Sequence, residues 1–266
     1  MQFLSKYPNF YFFVSSCPTP GFKYFYYCWQ VMRKLNVDLV DEHYYCPPGW
    51  FLKNAGRYDN YDRKGPKVFA GEYASHVAGK DGEPTVAKNN WEAALPEAAF
   101  MTGLERNADV VWQCTYAPLF AHVDGWQWRP DLIWFDNLKS VRSVNWYVQM
   151  LYGTYKGTNV LQLTENGKPV EGEDGLYASA VYDKPTKKFI VKIANASDQP
   201  KQVVLNFKGA KNLATAQVIS LHADDKQATN SLEQPNNVVP KESELQANGS
   251  NLTLTIPAQT FQVVRL

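Results

Sequence analysis

The sequence changes its pattern near residue 160, and this change constrains the fold more than any other feature. Before that point, strand-like apolar runs alternate with helix-like segments. Unbroken apolar runs are typical of strands that are buried on both faces of a parallel sheet. The first part therefore predicts an α/β architecture whose strands are Phe10–Ser16, Val37–Tyr45, Val68–Ala70 and Val110–Tyr116.

Helical segments between these strands complete four βα units. The sequence predicts helices over Tyr24–Leu35, Trp91–Asn107 and Asn145–Thr154, and a long loop around Trp50–Arg63 that leads through a further helix. Asn89 or Asn90 is the expected N-cap of the helix that begins at Trp91. Four units are too few to close a (β/α)₈ barrel, which takes roughly 250 residues. An open doubly wound sheet is the alternative, although no glycine-rich phosphate loop follows the first strand.

The remainder of the chain loses the helical periodicity and contains short alternating runs separated by turn residues. This pattern predicts an antiparallel β-sandwich. We therefore predict two domains, residues 1–158 and residues 159–266, with a long polar loop over residues 222–240. The predicted sandwich strands are Leu176–Tyr182, Lys188–Asn195, Lys201–Phe207, Ala214–Ile219, Leu252–Ile256 and Phe261–Leu266.

Charge and cysteine content exclude several classes of function. The chain has 27 basic and 26 acidic side chains and a formal net charge of +1. This balance gives no electrostatic reason to expect nucleic acid or an anionic membrane as a partner. The sequence contains no run of about 18 apolar residues, so it predicts no membrane span. No C-x-x-C pair occurs and the cysteine spacing does not suggest a zinc site, so we expect no metal site. We also expect no cofactor. Buried free thiols are expected at Cys17, Cys28, Cys46 and Cys114.

A carboxylate follows the third predicted strand. The segment Pro66–Ser75 places Glu72 directly after a short apolar run and a glycine. In a β/α barrel, the carboxyl ends of the strands hold the reacting groups. Glu72 is therefore a candidate catalytic nucleophile or base, and a plain rim residue is the alternative.

Polar and aromatic residues also follow the neighbouring strands. Tryptophan and tyrosine rings stack on the faces of sugars, and polar groups hold sugar hydroxyls, so this composition predicts a carbohydrate site. A core or rim histidine is the alternative for His43, and loop packing is the alternative for the two tryptophans. The candidates at the strand ends, besides Glu72, are Glu42, His43, Tyr44, Tyr45, Tyr73, Thr115, Tyr116, His122, Trp126 and Trp128.

Several motifs between residues 41 and 137 form one highly specific pattern, and the resemblance that they carry spans nearly the whole chain. They are Asp41–Tyr45 with Gly71–Ala74, Asn90–Leu95 through Gly103–Val110, Tyr116–His122, and Trp128–Asn137. Together they resemble the family 51 glycoside hydrolases, the α-L-arabinofuranosidases. The resemblance implies a (β/α)₈ barrel followed by a β-sandwich. It also implies a retaining hydrolase that removes terminal arabinofuranose from arabinose-containing polysaccharides or oligosaccharides.

The resemblance further implies roles for single residues. Glu72 takes the position of the nucleophile at the end of the seventh barrel strand. His43 and Tyr45, or Tyr44 in its place, support the sugar and the nucleophile from the sixth strand. A tyrosine hydroxyl that donates to Glu72 would favour its ionised form. Glu42 is expected to be a structural rim carboxylate. The remaining predicted sugar contacts, in the loop after the eighth strand, are Trp126 and Trp128.

One element of the family's chemistry is absent from the sequence. Retaining hydrolysis needs two carboxyl groups about 5–5.5 Å apart, a nucleophile and an acid/base. The family's acid/base is the glutamate of an Asn-Glu pair on the fourth strand, and this sequence contains no Asn-Glu pair. We therefore expect the C-terminal half of a (β/α)₈ TIM barrel, strands five to eight, followed by the sandwich. Such a C-terminal portion of an arabinofuranosidase should be inactive by itself.

Two other functions stay open. The chain could be a non-catalytic carbohydrate-binding or structural module, or a fragment that assembles with a separate N-terminal chain.

Half a barrel would leave two open sheet edges and an uncovered apolar face. The family commonly forms oligomers, so a homo-oligomer is a further expectation, whereas the localisation is left open.

Overall fold

The structure is a computed structural model that describes residues 11–16, 23–77, 89–211, 213 and 215–266. Phe10 and Ala214, which begin two of the predicted strands, and Cys17 lie outside the described residues. Among those described, no helix is both long and apolar enough to cross a membrane. In the same residues, no three His, Cys, Asp or Glu side chains gather where they could hold a metal ion.

Parallel strands form the sheet of the first part. In the described residues this sheet consists of β1 (Phe13–Ser15), β2 (Leu39–Cys46), β3 (Lys67–Ser75) and β4 (Val111–Tyr116), side by side in chain order. Each of the four predicted strands is present, and the chain is mixed α/β as expected. β3 is longer than predicted, so Glu72 lies within the strand and not after it.

The two edges of this sheet are β1 and β4, and each pairs with a single strand among the described residues. Large apolar side chains are exposed at both edges, with Phe13 45% and Trp112 49% exposed. The expectation of buried thiols is correct for Cys46 on β2, whereas Cys28 is half-buried. It is wrong for Cys114, which is exposed on β4, a strand with no outer neighbour in the described part.

Helices follow the strands of the parallel sheet. Those in the described residues are α1 (Lys23–Leu35), α2 (Pro48–Lys53), α3 (Trp91–Arg106) and α4 (Val144–Thr154). Asn90, one of the two predicted caps, begins α3, because its side chain accepts the Ala93 N–H at 3.0 Å. Ser143 caps α4 in the same way.

A small sheet occupies the segment after β4. It consists, in the described residues, of β5 (Phe120–His122), β6 (Ile133–Phe135) and β7 (Ser140–Arg142). The sequence predicted a loop here, and that prediction was wrong. Three-residue strands are too short to display a two-residue alternation, so the sequence pattern gives no sign of them.

Antiparallel strands make up the rest of the chain. They are β8 (Asn159–Leu161), β9 (Leu176–Asp183), β10 (Lys188–Asn195), β11 (Lys201–Asn206), β12 (Thr215–His222), β13 (Lys241–Gln246), β14 (Asn251–Ile256) and β15 (Thr260–Arg265). Within the described residues, the order β13–β12–β15–β10–β9–β8 forms one sheet and β11–β14 forms another. The sequence missed β8 and β13, and β13 is polar and exposed along most of its length.

An apolar core fills the space between these two sheets. Ile193 of β10 and Val218 of β12 pack with Leu252 and Leu254 of β14. This two-layer arrangement agrees with the predicted β-sandwich. The predicted polar loop contains no helix or strand over residues 223–240.

The helix α3 lies between the parallel sheet and the sandwich, and it contacts β3 on one side and β9 and β10 on the other. Nearly all of its residues are buried for that reason. Ile190, Phe261 and Val263, on the outer face of the larger sandwich sheet, belong to the same hydrophobic core as the parallel sheet. The two predicted domains therefore share one continuous core.

Candidate active site

Alternate residues of β2 point to opposite faces of the parallel sheet, which places Asp41, His43 and Tyr45 on one face. Glu72 of the neighbouring β3 lies among them. Tyr45 donates its hydroxyl to Glu72 Oε2 at 2.6 Å, and His43 Nδ1 lies 3.5 Å from the same oxygen. His43 Nε2 lies 2.8 Å from Asp41 Oδ2. The four side chains form one connected polar cluster.

A β-bulge brings Glu72 opposite His43. The register of β2 against β3 shifts between Glu42 and His43, so Gly71 has no partner on β2. A bulge bends the strand and re-aims the side chains that follow it. A Cβ atom on Gly71 would lie 2.0 Å from Asp41 Oδ1, so glycine leaves the space that the Asp41 carboxylate occupies.

The Glu72 carboxylate is accessible and held by polar contacts. Its side chain is 43% exposed, so a ligand can approach it. Burial raises the pKa of the Tyr45 phenol, and the hydrogen bond to Glu72 and the charge of Glu72 act in the same direction. Tyr45 therefore remains protonated at neutral pH and continues to donate to Glu72.

Asp41 also belongs to the cluster, although the sequence did not predict it as a site residue. Its side chain is 11% exposed and holds Nε2 of His43, while Nδ1 of His43 faces Glu72. The imidazole ring is therefore fixed between two carboxylates. The spacing of Asp41 and His43, two residues apart on one strand, is the signal that could have revealed the contact.

Glu42 lies on the opposite, helix-covered face of the sheet. It is fully buried and accepts hydrogen bonds from Trp29 Nε1 at 2.7 Å, Tyr61 Oη at 2.9 Å and Tyr58 Oη at 3.0 Å. Burial raises the pKa of its carboxyl group, and Arg57 and the three donors act in the opposite direction. Glu42 has the structural surroundings that were expected, but it lies in the core and not at the rim.

The position of Tyr44 contradicts its prediction as a sugar contact. Its side chain is completely buried, its ring stacks on Trp50 with the centroids 5.1 Å apart, and its hydroxyl is paired with that of Tyr58. The sequence predicts one tyrosine for this position, with Tyr44 as the alternative to Tyr45. Adjacent residues of a strand face opposite ways, and Tyr45 is the one that faces Glu72.

Trp126 and Trp128 lie between β5 and β6 and are 42% and 63% exposed. The Arg129 guanidinium lies 3.6 Å from the centre of the Trp126 ring. Within the part of the chain that the structure describes, no hydrogen bond or ring contact joins either tryptophan to the Glu72 cluster. Their assignment as sugar contacts stays a prediction.

Other candidate residues have local partners. His122 Nδ1 accepts the Asp124 N–H at 3.2 Å, and the Thr115 hydroxyl donates to the Gly71 carbonyl, next to Glu72. His76 was not singled out by the sequence, and its ring lies 5.4 Å from the Tyr45 ring. Burial lowers the pKa of His76.

Comparison with known proteins gives consistent sequence matches. The family described as "Alpha-L-arabinofuranosidase C-terminal domain" matches residues 71–259. The extracellular exo-α-L-arabinofuranosidase of Streptomyces chartreusis is 49% identical over 157 residues, which are 59% of this chain and 18% of that protein. α-L-Arabinofuranosidase 1 of Arabidopsis thaliana is 30% identical over 231 residues, which are 85% of this chain and 33% of that protein. The chain thus spans a third or less of the length of these curated relatives.

Solved structures show the same relationship. The arabinose-bound MgGH51 α-L-arabinofuranosidase has a TM-score of 0.83 and 30% sequence identity, and the match covers 99% of this chain and 41% of that one. The α-L-arabinofuranosidase from Thermotoga maritima, in an arabinose complex, has a TM-score of 0.76 at 14% identity over 100% of this chain and 59% of that one. The second likeness concerns the fold alone.

Proposed function

This chain belongs to the α-L-arabinofuranosidase C-terminal domain family, and on that premise we propose that it supplies the nucleophile of a retaining α-L-arabinofuranosidase. The proposed substrate is a terminal arabinofuranosyl unit of an arabinose-containing polysaccharide or oligosaccharide. The named relatives are described as α-L-arabinofuranosidases, and the two solved structures are described as bound to arabinose.

The hydrogen bond from Tyr45 to Glu72 is the observation on which the proposal depends. In the proposed reaction, a carboxylate oxygen of Glu72 attacks the anomeric carbon, and the glycosidic oxygen leaves with its bonding electrons. Water then hydrolyses the arabinosyl ester on Glu72. Tyr45 and His43 both approach Oε2, so they fix the direction in which the carboxylate points.

We propose that residues 1–158 form half of a (β/α)₈ barrel and residues 159–266 form its attached β-sandwich domain. The parallel order β1–β2–β3–β4 and the helices that follow these strands support this assignment. The strands would be the fifth to the eighth of the barrel, which makes β3 the seventh. A barrel strand of this kind presents its functional groups towards the carboxyl end, and Tyr45 and Glu72 lie in the carboxyl-terminal halves of β2 and β3.

The proposed acid/base comes from outside this sequence. Among the described carboxyl groups, Asp41 is connected to Glu72 through His43, and Glu42 faces the other side of the sheet. Loss of general acid catalysis typically costs a factor of about 10²–10⁴. Natural glycosides should therefore be poor substrates for the chain alone, whereas a glycoside whose leaving group needs no proton should still react with Glu72.

A dinitrophenyl α-L-arabinofuranoside tests the nucleophile directly, because dinitrophenolate departs without protonation. We expect a burst of dinitrophenolate from the full chain, and mass spectrometry of its peptides should find one pentosyl residue on Glu72. Glu72→Gln should abolish both signals. Glu244→Gln, at an exposed position on β13, is the matched control and should leave them unchanged.

A label on another residue, or an equal burst from Glu72→Gln, would contradict the proposed nucleophile.

The second candidate function is a carbohydrate-binding module without turnover, and the exposed rings of Trp126 and Trp128 favour it. Calorimetry with arabino-oligosaccharides and the labelling experiment together separate the two functions. The module would bind the oligosaccharides in the calorimeter and would form no labelled intermediate with the dinitrophenyl arabinofuranoside. A third arrangement, assembly with a separate N-terminal half, predicts that co-expression with such a half restores hydrolysis of natural arabinosides.

A further inference from the structure

A second carboxyl group lies in the core near the end of β3. Glu97 is in the middle of α3, and its side chain is completely buried. A carboxyl group in such a place must have hydrogen-bond partners, because its transfer out of water is otherwise strongly unfavourable. The reaction proposed for Glu72 does not use Glu97.

Glu97 connects three elements of the fold. Its Oε1 accepts the Ser75 N–H of β3 at 2.7 Å, and its Oε2 accepts a hydrogen bond from Asn145 Nδ2 of α4 at 2.7 Å. Ser75 is the last residue of β3, in the same strand as Glu72. The two hydrogen bonds therefore tie the end of this strand to α3 and α4.

The protonation of Glu97 can be accommodated by Asn145. Burial raises the pKa of Glu97 to about 8, and the hydrogen bonds from Ser75 and Asn145 act in the opposite direction. The neutral acid, which predominates at pH 7, has a proton to donate. Asn145 Oδ1 is buried and has no hydrogen-bond partner among the described residues. In the orientation described, the Asn145 NH₂ group donates to the Glu97 carboxylate. If the amide is rotated by half a turn, Asn145 Oδ1 accepts the proton of the neutral acid instead.

We propose that Glu97 is a positioning residue, which holds the end of β3, and thereby Glu72, against α4 through Ser75 and Asn145. This proposal rests on the role proposed above for Glu72. It adds a group in the core, remote from the sugar, on which the placement of the nucleophile depends.

Several titratable groups face this part of α3. Tyr73 of β3, Tyr116 of β4 and Tyr152 of α4 are buried, and burial raises the pKa of each well above its ordinary value, so all three remain neutral. Asp131 lies near Tyr116, and burial raises its pKa to about 6, against the charge of a nearby arginine. His76 follows Ser75 in the chain, and burial lowers its pKa. Because these groups are present in both proteins, the difference between the wild type and Glu97→Gln from pH 6 to pH 8 reports on Glu97.

The first test is the pH dependence of stability. The pKa of Glu97 rises from an ordinary 4.5 to about 8 in the folded chain. The unfolded chain loses this proton first, so the folded state loses stability as the pH rises from about 4.5 to about 8. In Glu97→Gln, the amide oxygen can accept the Ser75 N–H and the NH₂ group can donate to Asn145 Oδ1. The urea midpoint of the wild type, relative to that of Glu97→Gln, should therefore fall between pH 6 and pH 8.

The second test measures the end of β3 by hydrogen exchange. Glu97→Leu removes both acceptors, and the amides from Glu72 to Ser75 should then exchange about tenfold faster or more. Glu97→Gln should restore wild-type exchange. Thr102→Val is the control, because Thr102 is buried in the same helix and its hydroxyl donates to Ala99 O at 2.6 Å, within α3. If Glu97→Leu does not fold, Asn145→Ala, which removes the α4 partner alone, provides the same measurement.

Labelling of Glu72 by the dinitrophenyl arabinofuranoside connects the two proposals. Glu97→Leu should slow labelling on the order of tenfold, and Glu97→Gln should restore it. If the wild type takes no label but the exchange and pH results are as expected, the nucleophile assignment fails while the link from Glu97 to β3 is supported. Unchanged β3 exchange in Glu97→Leu and Asn145→Ala, or a relative urea midpoint that does not fall between pH 6 and pH 8, would overturn the proposal.

Discussion

At the scale of single residues, one oxygen atom organises the candidate site. Glu72 Oε2 accepts the Tyr45 hydroxyl and faces His43, and His43 is in turn held by Asp41. Because Oε2 is held in this way, the direction in which Glu72 Oε1 points is also defined. Orientation of this kind is a large part of what a protein can contribute to a displacement reaction.

Replacing Tyr45 tests this orientation. Tyr45→Phe removes a hydrogen bond to a charged group, and such bonds contribute about 1.5–3 kcal/mol. If the bond is made in the transition state, the rate of Glu72 labelling should fall about 10–100-fold. Tyr24→Phe, at a position that is 70% exposed on α1, is the control and should label normally. Equal labelling rates of the Tyr45 variant and the wild type would show that the phenol does not assist Glu72.

Gly71 provides a second test at this scale. A Cβ atom there would lie 2.0 Å from Asp41 Oδ1 and 2.9 Å from Phe69 Cε1. Gly71→Ala should therefore displace Asp41, loosen His43 and cost about 1–3 kcal/mol of unfolding free energy. Gly153→Ala, in α4, meets no atom within 4 Å and should stabilise the chain by up to about 1 kcal/mol. Urea denaturation of both variants measures the contrast, and similar effects in the two would argue against a steric role for Gly71.

At the scale of elements, α3 connects the parallel sheet to the sandwich. Lys192 of β10 is fully buried and donates to Glu105 of α3 and to Tyr155 O, the latter at 2.7 Å. Ser179 of β9 donates to the other Glu105 oxygen at 2.6 Å. Each charged group of this contact depends on the other, since an unpaired buried charge is strongly destabilising.

This buried ion pair gives a prediction about the junction. Lys192→Met removes the counter-charge of Glu105, which keeps the hydrogen bond from Ser179, and should cost about 3–5 kcal/mol of unfolding free energy. Combining it with Glu105→Gln should recover much of that loss, because the remaining amide is neutral. A double-mutant cycle by urea denaturation measures the coupling. Additive effects of the two substitutions would contradict a direct interaction in solution.

At the scale of the whole molecule, the open edges of the parallel sheet determine how the chain should behave alone. Phe13 on β1 and Trp112 on β4 are exposed beside backbone groups with no strand partner in the described residues. Exposed apolar edges of this kind favour association. We expect the isolated chain to sediment with an apparent mass that rises with concentration.

Lysine at both edges should oppose this association. Phe13→Lys together with Trp112→Lys should shift sedimentation towards the monomer, because charge at an edge disfavours strand pairing. Leu138→Lys is the control, since Leu138 is 92% exposed and lies outside both edge strands. A concentration dependence that is unchanged by the edge lysines would place the association elsewhere.

Much of the fold could be predicted from periodicity. Apolar runs indicated β1 to β4, and alternation indicated β9 to β12, β14 and β15, because each element repeats its pattern over enough residues. The strands β5 to β8 are three residues long, and β13 is an exposed polar strand, so neither kind displays an apolar period. The parallel sheet and the sandwich share one hydrophobic core, and no local sequence pattern predicts this contact.

The sequence by itself determined which residues are available for chemistry: a carboxylate at Glu72, and His43 and Tyr45 on the preceding strand. Only the tertiary structure decided which of them meet. Because successive residues of a strand face opposite ways, Tyr44 lies in the core and Tyr45 faces Glu72. A bulge at Gly71 places Glu72 opposite His43. Glu97, on a helix, accepts the Ser75 N–H of β3. Local periodicity follows from backbone geometry, which neighbouring residues share, whereas these contacts join residues that only packing brings together.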